Sequence, residues 1–267
     1  MNMHTIKEQL TALRMHTAAS EIEALLTAQK KSVHLDWLAT LLEREIEARK
    51  ERALKFRIKR AEFPEVTSLE TFDWEFNSDI DEAAVRELAS LRFVTSRQIA
   101  LFLGRPGTGK THLALAIGVL AAQSGLRVYC SSVKKLAAQI LAAKARNSID
   151  LLFKRILSSH LWILDDWGVI SMKRDVAEEV FDLLDRRKHS TALLLTSNRD
   201  IDEWPSVFPE PVIAAAAIDR LFENAKILAF LGKSYRLKGR IAVSGHRRTC
   251  RNRLDDFGVT LCACENP

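Results

Sequence analysis

IALFLGRPGTGKTHLALAIGVLAA, residues 99–122, runs from five apolar residues through GRPGTGKT at 104–111 into a long helix-compatible segment. The central octet fits G-x-x-x-x-G-K-[ST], and its placement between a strand and a helix is the context that gives the motif meaning. Gly104, Gly107 and Gly109 allow a turn whose successive N–H groups converge on phosphate oxygens. The helix that follows adds the positive end of its dipole. Lys110 is spaced to reach β- and γ-phosphates, and the Thr111 hydroxyl can ligate Mg²⁺. With Arg105, Pro106, Thr108 and His112, residues 104–112 make a candidate nucleotide cradle.

Working outward, LWILDD at residues 161–166 is an apolar run that ends in two acids. Asp165 is spaced to hold Mg²⁺ through water, and Asp166 to act as a general base on an attacking water. The ordinary alternative is a pair of acids capping the next helix. ALLLTSN at 192–198 places Asn198 at the tip of another strand, where an amide can orient water or touch a γ-phosphate. Arg220 in AIDRLF and Arg236 in KSYRLK are both candidates to complete a phosphate site, and spacing does not choose between them.

Apolar runs at 99–103, 127–131, 161–165, 192–197 and 227–231 alternate with helix-compatible stretches, with Gly125 as a helix stop. This grammar predicts an α/β fold, a parallel sheet covered on both faces. The N-terminal fifth reads differently. Residues 5–30 and 35–61 carry helical spacing (Ile6, Leu10, Leu13; Leu38, Leu41, Leu42, Ile46), with a break at 32–34 and an end before Pro64. The expected organisation is a helical domain at 1–62, an ATPase-type domain at 63–240 and a polar tail at 241–267. The tail holds His246, Cys250, Cys262 and Cys264 at spacings that fit no standard zinc pattern.

Composition narrows the classes. The chain has 267 residues, 40 Lys and Arg against 34 Asp and Glu, 47% apolar and 28% charged residues, which suits a globular protein. Four cysteines do not make a disulfide scaffold and point to a reducing compartment. The longest apolar run, residues 212–218, falls far short of the roughly 18 needed to span a membrane, and MNMHTIKEQL carries no secretory pattern. Secreted, membrane and fibrous classes are therefore not expected. Residues 1–60 carry 12 basic and 8 acidic residues, and 49–60 (RKERALKFRIKR) hold seven basic residues and one acid. Arg57, Lys59 and Arg60 in that run can track phosphates; a solvated helix face is the plainer reading.

Together these residues identify a family resemblance over about residues 5–240. The lead-in LETFDW at 69–74, GRPGTGKTHLA, LWILDDWG, LLLTSN, AAAIDRLF and GKSYRLKGR resemble IstB-type transposition helper ATPases. More distantly they are similar to DnaC helicase loaders and DnaA initiators of the AAA+ class. The resemblance implies a five-stranded parallel sheet in the order 5-1-4-3-2, flanked by helices and preceded by a small all-helical domain. It implies Asn198 as sensor I, Arg220 as the arginine finger and Arg236 at the sensor II position, although a full lid domain is not evident. It implies ATP and Mg²⁺ as cofactors, self-assembly through ATP at subunit interfaces, duplex DNA and a DDE-type transposase as partners, and a place in the bacterial cytoplasm away from membranes. By analogy with initiators and loaders, Lys134, Lys135, Lys144, Arg146, Lys154 and Arg155 in the region 132–157 would grip DNA phosphates; a solvated helix face is the alternative reading. A helicase loader is the competing function and uses the same ATP site. A small-molecule kinase would need a lid and an acceptor pocket.

Two departures stand out. The AAA+ pattern has Asp-Glu where this chain has Asp165-Asp166, which draws the carboxylate back by about 1.5 Å, one C–C bond. That implies either slow hydrolysis, better suited to a switch than to a motor, or a loop that compensates for the shorter side chain. The Cys-containing tail matches nothing in the family.

Overall fold

The computed structural model describes residues 3–28 and 35–238. Residues 1–235 form one compact unit and 236–267 a second, of which Arg236 to Lys238 are described. The tail candidates His246, Cys250, Cys262 and Cys264 lie outside the described residues.

The centre of the first unit is a parallel sheet. Its strands are β1 (Ile99–Gly104), β2 (Val128–Ser132), β3 (Leu161–Trp167), β4 (Ala192–Ser197) and β5 (Ala225–Phe230), in the order β2-β3-β4-β1-β5. This is the order the resemblance implies. Two of the expected runs shift: 127–131 becomes 128–132, and 227–231 becomes 225–230. The apolar runs are continuous because both faces are covered. Ile99 and Leu101 of β1 pack into one apolar cluster, and Ala100 and Phe102 into the other. β4 divides in the same way, with Leu193 and Leu195 on one side and Ala192 and Leu194 on the other.

One face is covered by α7 (Val133–Ala145), α8 (Ile149–Leu157), α9 (Arg174–Arg187) and α10 (Pro211–Phe222). The other is covered by α4 (Glu82–Ala89), α5 (Arg92–Thr95), α6 (Lys110–Gln123) and the C-terminal half of α3 (Asp36–Ala61). The stretch 132–157 is two helices rather than one. The chain turns at Asn147, whose φ of 50° is left-handed, and no glycine or proline announces the break.

The N-terminal stretch 5–30 is likewise two helices, α1 (Met3–Ala12) and α2 (His16–Ala28), joined through Arg14 at φ 61°. The turn folds Ile6, Leu10 and Leu13 against Ala39 and Leu42 of α3. Arg49 Nη1 donates to Leu13 O at 2.9 Å and satisfies a carbonyl at the α1 end. A continuous helix would leave these apolar side chains without a partner surface, so packing overrides local propensity. α3 itself spans both regions. Its first turns pack on α1, and further along Leu54 and Ile58 pack under the sheet layer. It ends at Ala61, with Glu62 left-handed (φ 62°), two residues before Pro64.

Candidate functional site

The C-terminal ends of β1, β3 and β4 converge, and this end of a parallel sheet is where ligands sit in open α/β folds. β1 delivers Gly104 and the loop to Gly109, after which α6 begins at Lys110. Two loop positions tolerate nothing larger than glycine. At Gly104 (φ 145°) a Cβ would stand 2.1 Å from Phe230 O on β5, and at Gly109 (φ 102°) 2.4 Å from the Phe72 ring. The loop is thus pressed between the last strand and the lead-in segment. Lys110 is almost fully buried, and its Nζ donates to the Gly104 and Arg105 carbonyls at 2.7 Å each. Arg105 and Pro106 are exposed, while Thr108 is buried and donates to Arg105 O at 2.9 Å.

A chain of hydrogen bonds links the other candidates. Thr111 Oγ1 donates to Asp165 Oδ1 at 2.8 Å, and Thr196 Oγ1 donates to the same oxygen at 2.5 Å. The Asp166 amide donates to Thr196 Oγ1 at 3.1 Å, and Asn198 Nδ2 donates to Asp166 Oδ1 at 3.1 Å. Consecutive residues of a regular strand face opposite ways. Here the β3–β4 register breaks between Leu164 and Trp167, and Asp166 adopts φ 60°. That bulge lets neighbouring acids share one hydrogen-bonded network; the left-handed backbone at a non-glycine residue is strain retained at this site. Below it, Ser197 Oγ donates to Trp167 O at 3.0 Å and receives the Trp204 indole N–H at 3.2 Å, which holds the two strand ends together.

Thr196 is the member that sequence reasoning missed. Its only signal was a hydroxyl one residue inside a strand end. Thr196→Val keeps the shape but removes one donor from Asp165 and the acceptor of the Asp166 amide. The variant is expected to lose about 1–3 kcal/mol of unfolding free energy, measured by urea titration. It should also need more Mg²⁺ for half-maximal nucleotide binding. An unchanged midpoint would show that the hydroxyl is dispensable.

The lead-in segment forms a second feature that sequence reasoning did not assign. A cavity of about 120 Å³ lies beside Gly109, walled by Thr71, Phe72, Asn77, Thr108, His112 and Tyr235. Asn77 clamps it: Nδ2 donates to Thr108 O (3.3 Å) and Lys233 O (3.1 Å), and Oδ1 accepts the Lys233 amide at 2.8 Å. The Tyr235 amide donates to Gly107 O at 2.8 Å, so the segment after β5 is tied to the loop. The His112 ring lies 5.6 Å from that of Phe72 and hydrogen-bonds Ser68 O at 3.1 Å.

The oxygen set of Thr111 and Asp165 suits a hard divalent cation, for their two oxygens already meet at hydrogen-bond distance. Arg220 makes its contacts elsewhere. Arg220, on α10, donates to Asp185 Oδ1 at 2.7 Å and Asp219 Oδ2 at 3.0 Å, and the hydrogen bond to Asp185 is the main cause raising its pKa. Neither bond reaches the loop of its own chain. Arg236 belongs to the second unit. Of the candidate DNA contacts, Lys135 and Arg155 pair with Glu62, and Lys144 pairs with Glu179 at 3.0 Å. Lys59, Arg60, Lys134, Arg146 and Lys154 make no ion pair among the described residues. Arg57 donates through Nε to Ala122 O at 2.7 Å.

Known proteins place this arrangement. The chain is similar to an IS21 insertion-sequence protein of Pseudomonas aeruginosa named for ATP binding, 37% identical over 88% of this chain and 90% of that one. It is also similar to its IS5376 counterpart in Geobacillus stearothermophilus, 32% identical over 76% of this chain and 81% of that one. Among solved structures, DnaI aligns with TM-score 0.52 and 22% identity, covering 61% of this chain and 90% of that chain. AMPPCP-bound DnaA from Aquifex aeolicus aligns with TM-score 0.52 and 21% identity, covering 69% of this chain and 58% of that chain. The likeness to these two solved structures shows a shared fold. The family model for IstB-like ATP binding proteins matches residues 5–242, and with the relatives above it shows that the chain belongs to that family.

Proposed function

We propose that this chain is an ATP-dependent DNA-binding helper of an insertion-sequence transposase, which assembles on target duplex DNA and stimulates transposition. The ATP part rests on one observation above all: the loop lysine, the Thr111–Asp165 pair and the Thr196–Asp166–Asn198 chain meet at one end of the sheet. The transposition part rests on relatives named from insertion sequences.

In this reading the loop N–H groups and the α6 N-terminus hold the phosphates. Lys110 exchanges its two carbonyl acceptors for β- and γ-phosphate oxygens. Phe72, Asn77, His112 and Tyr235 enclose the adenine end in the adjacent cavity. Thr111 and Asp165 hold Mg²⁺, which when bound offsets phosphate charge. Asp166 accepts the proton of the attacking water, and Asn198 keeps that carboxylate and the water aligned. The short Asp166 side chain makes turnover slow, so ATP acts as an assembly signal. Arg220 acts on the ATP of a neighbouring subunit, exchanging Asp185 and Asp219 for the γ-phosphate as subunits meet. The work is done in the bacterial cytoplasm.

The test is to measure complex size and binding together on a long duplex, with ATP, ADP or no nucleotide. Large complexes with ATP alone are expected. Arg220→Ala should fail to form them and should lower turnover by about 10³-fold or more. Absence of duplex binding in every nucleotide state would overturn the helper reading in favour of a loader acting on a partner protein. Parent-like assembly and turnover in Arg220→Ala would place the finger elsewhere.

A further inference from the structure

Away from the nucleotide site, a cavity of about 170 Å³ opens where the end of α3, the start of β2 and the end of α8 meet. Phe56, Arg57, Arg60, Arg127, Arg155 and Ser158 stand around it, and among the described residues no acidic side chain lines it. Positions 56, 57 and 60 share one face of α3. Arg57 and Arg127 are fastened from behind: their Nε atoms donate to Ala122 O (2.7 Å) and Ser158 O (2.8 Å). Their terminal Nη groups make no hydrogen bond among the described residues. Arg155 lies over the Tyr129 ring at 5.2 Å and pairs with Glu62, a carboxylate it shares with Lys135. Arg60 makes no ion pair or hydrogen bond among the described residues. Phe56 is 63% exposed beside these four cations.

Arg155 has Glu62 as its anion, but Arg57, Arg60 and Arg127 converge with no acid paired to them among the described residues and repel one another unless an anion joins them. Guanidinium forks held by their Nε and open at their Nη groups match phosphate oxygens. The basic run extends the feature. From 49 to 60, α3 covers roughly 17 Å, the axial length of about five phosphates on one strand of a duplex. Lys55 and Lys59 along it make no ion pair among the described residues. A pocket that opens onto a track of cations fits a row of phosphates better than a single small anion.

We propose that this cleft seats the phosphodiester backbone of duplex DNA, with Arg57, Arg60 and Arg127 on the phosphates, Arg155 held beside them by Glu62, and Phe56 packing on a neighbouring sugar. The proposal rests on the DNA-binding reading above. It places the principal grip on α3 and on Arg127 just before β2, rather than on the acid-paired Lys135 and Lys144 of α7.

The experiment is fluorescence anisotropy of a labelled duplex with ATP over a salt series, using the full chain. Arg60→Ala/Arg127→Ala should reduce the magnitude of the log K against log salt slope by about 2, near 0.9 per phosphate contact, and weaken binding about tenfold or more. Arg60→Ala alone, at an exposed position with no partner to lose, should reduce the slope by about 1. Arg60→Lys/Arg127→Lys should restore most of the slope. Arg174→Ala/Arg186→Ala removes the same charge from α9, where each arginine pairs with an acid of its own helix, and should leave the slope as in the parent. A parent-like slope in the Arg60 and Arg127 variants, or an equal loss in the α9 variant, would overturn the cleft while the DNA-binding reading stood. A parent chain that binds no duplex with ATP would overturn both.

Discussion

Lys110→Ala is expected to bind ATP at least about 100-fold more weakly than the parent chain, measured by titration with a fluorescent ATP analogue. Lys110 is nearly buried, and its Nζ is held by two loop carbonyls at 2.7 Å, so the ammonium is already aimed across the loop. A hydrogen bond to a charged group contributes about 1.5–3 kcal/mol, and two such bonds to phosphate oxygens exceed the roughly 3 kcal/mol that 100-fold represents. In the proposed function, assembly on DNA follows ATP, so the variant should also lose ATP-dependent complexes on duplex DNA. The substitution leaves the Gly104 and Arg105 carbonyls without their donor, so a thermal midpoint must accompany the titration. Parent-like affinity in the folded variant would sink the assignment of this lysine to the phosphates.

Asp166→Ala should separate binding from turnover. Asp166 is not part of the glycine-rich loop, and its carboxylate accepts a hydrogen bond from Asn198 Nδ2 at 3.1 Å. Removing a general base lowers rate by about 10²–10⁴-fold. ATP affinity should stay near that of the parent, and DNA-bound complexes, once formed, should persist. A phosphate-release assay run beside the binding titration reads both quantities. Normal hydrolysis by Asp166→Ala would move the base to another residue. The replacement also removes a side chain from a left-handed backbone position, φ 60°, which favours no alanine; Asp166→Asn keeps the hydrogen-bonding shape and serves as the control for folding.

The fold was unusually legible, for reasons particular residues make plain. LWIL and ALLL are apolar at every position because α6 covers one face of the sheet and α7 to α10 the other. Strands of that kind announce themselves without alternation. The loop motif was legible because the constraint is backbone geometry. Gly104 has Phe230 O at its back and Gly109 has Phe72, so the glycines cannot be exchanged for other residues. The helix breaks at Arg14 and Asn147 were not legible. Both are left-handed turns at residues other than glycine, stabilised by what the flanking helices then pack against.

Sequence by itself therefore determined the parallel α/β sheet, the glycine-rich loop and the identity of Asp165, Asp166 and Asn198 as candidates, because each is encoded by residue type and local spacing. Tertiary structure decided how they combine. The bulge after Leu164 joins two adjacent acids in one network, and Thr196 bridges them from a neighbouring strand. Asn77 ties the lead-in to the segment after β5 across 156 positions of chain. Arg127 joins Arg57 and Arg60 only because β2 begins beside the end of α3. Contacts of that kind depend on which elements lie side by side, and no local pattern in the chain specifies the partner on the other side.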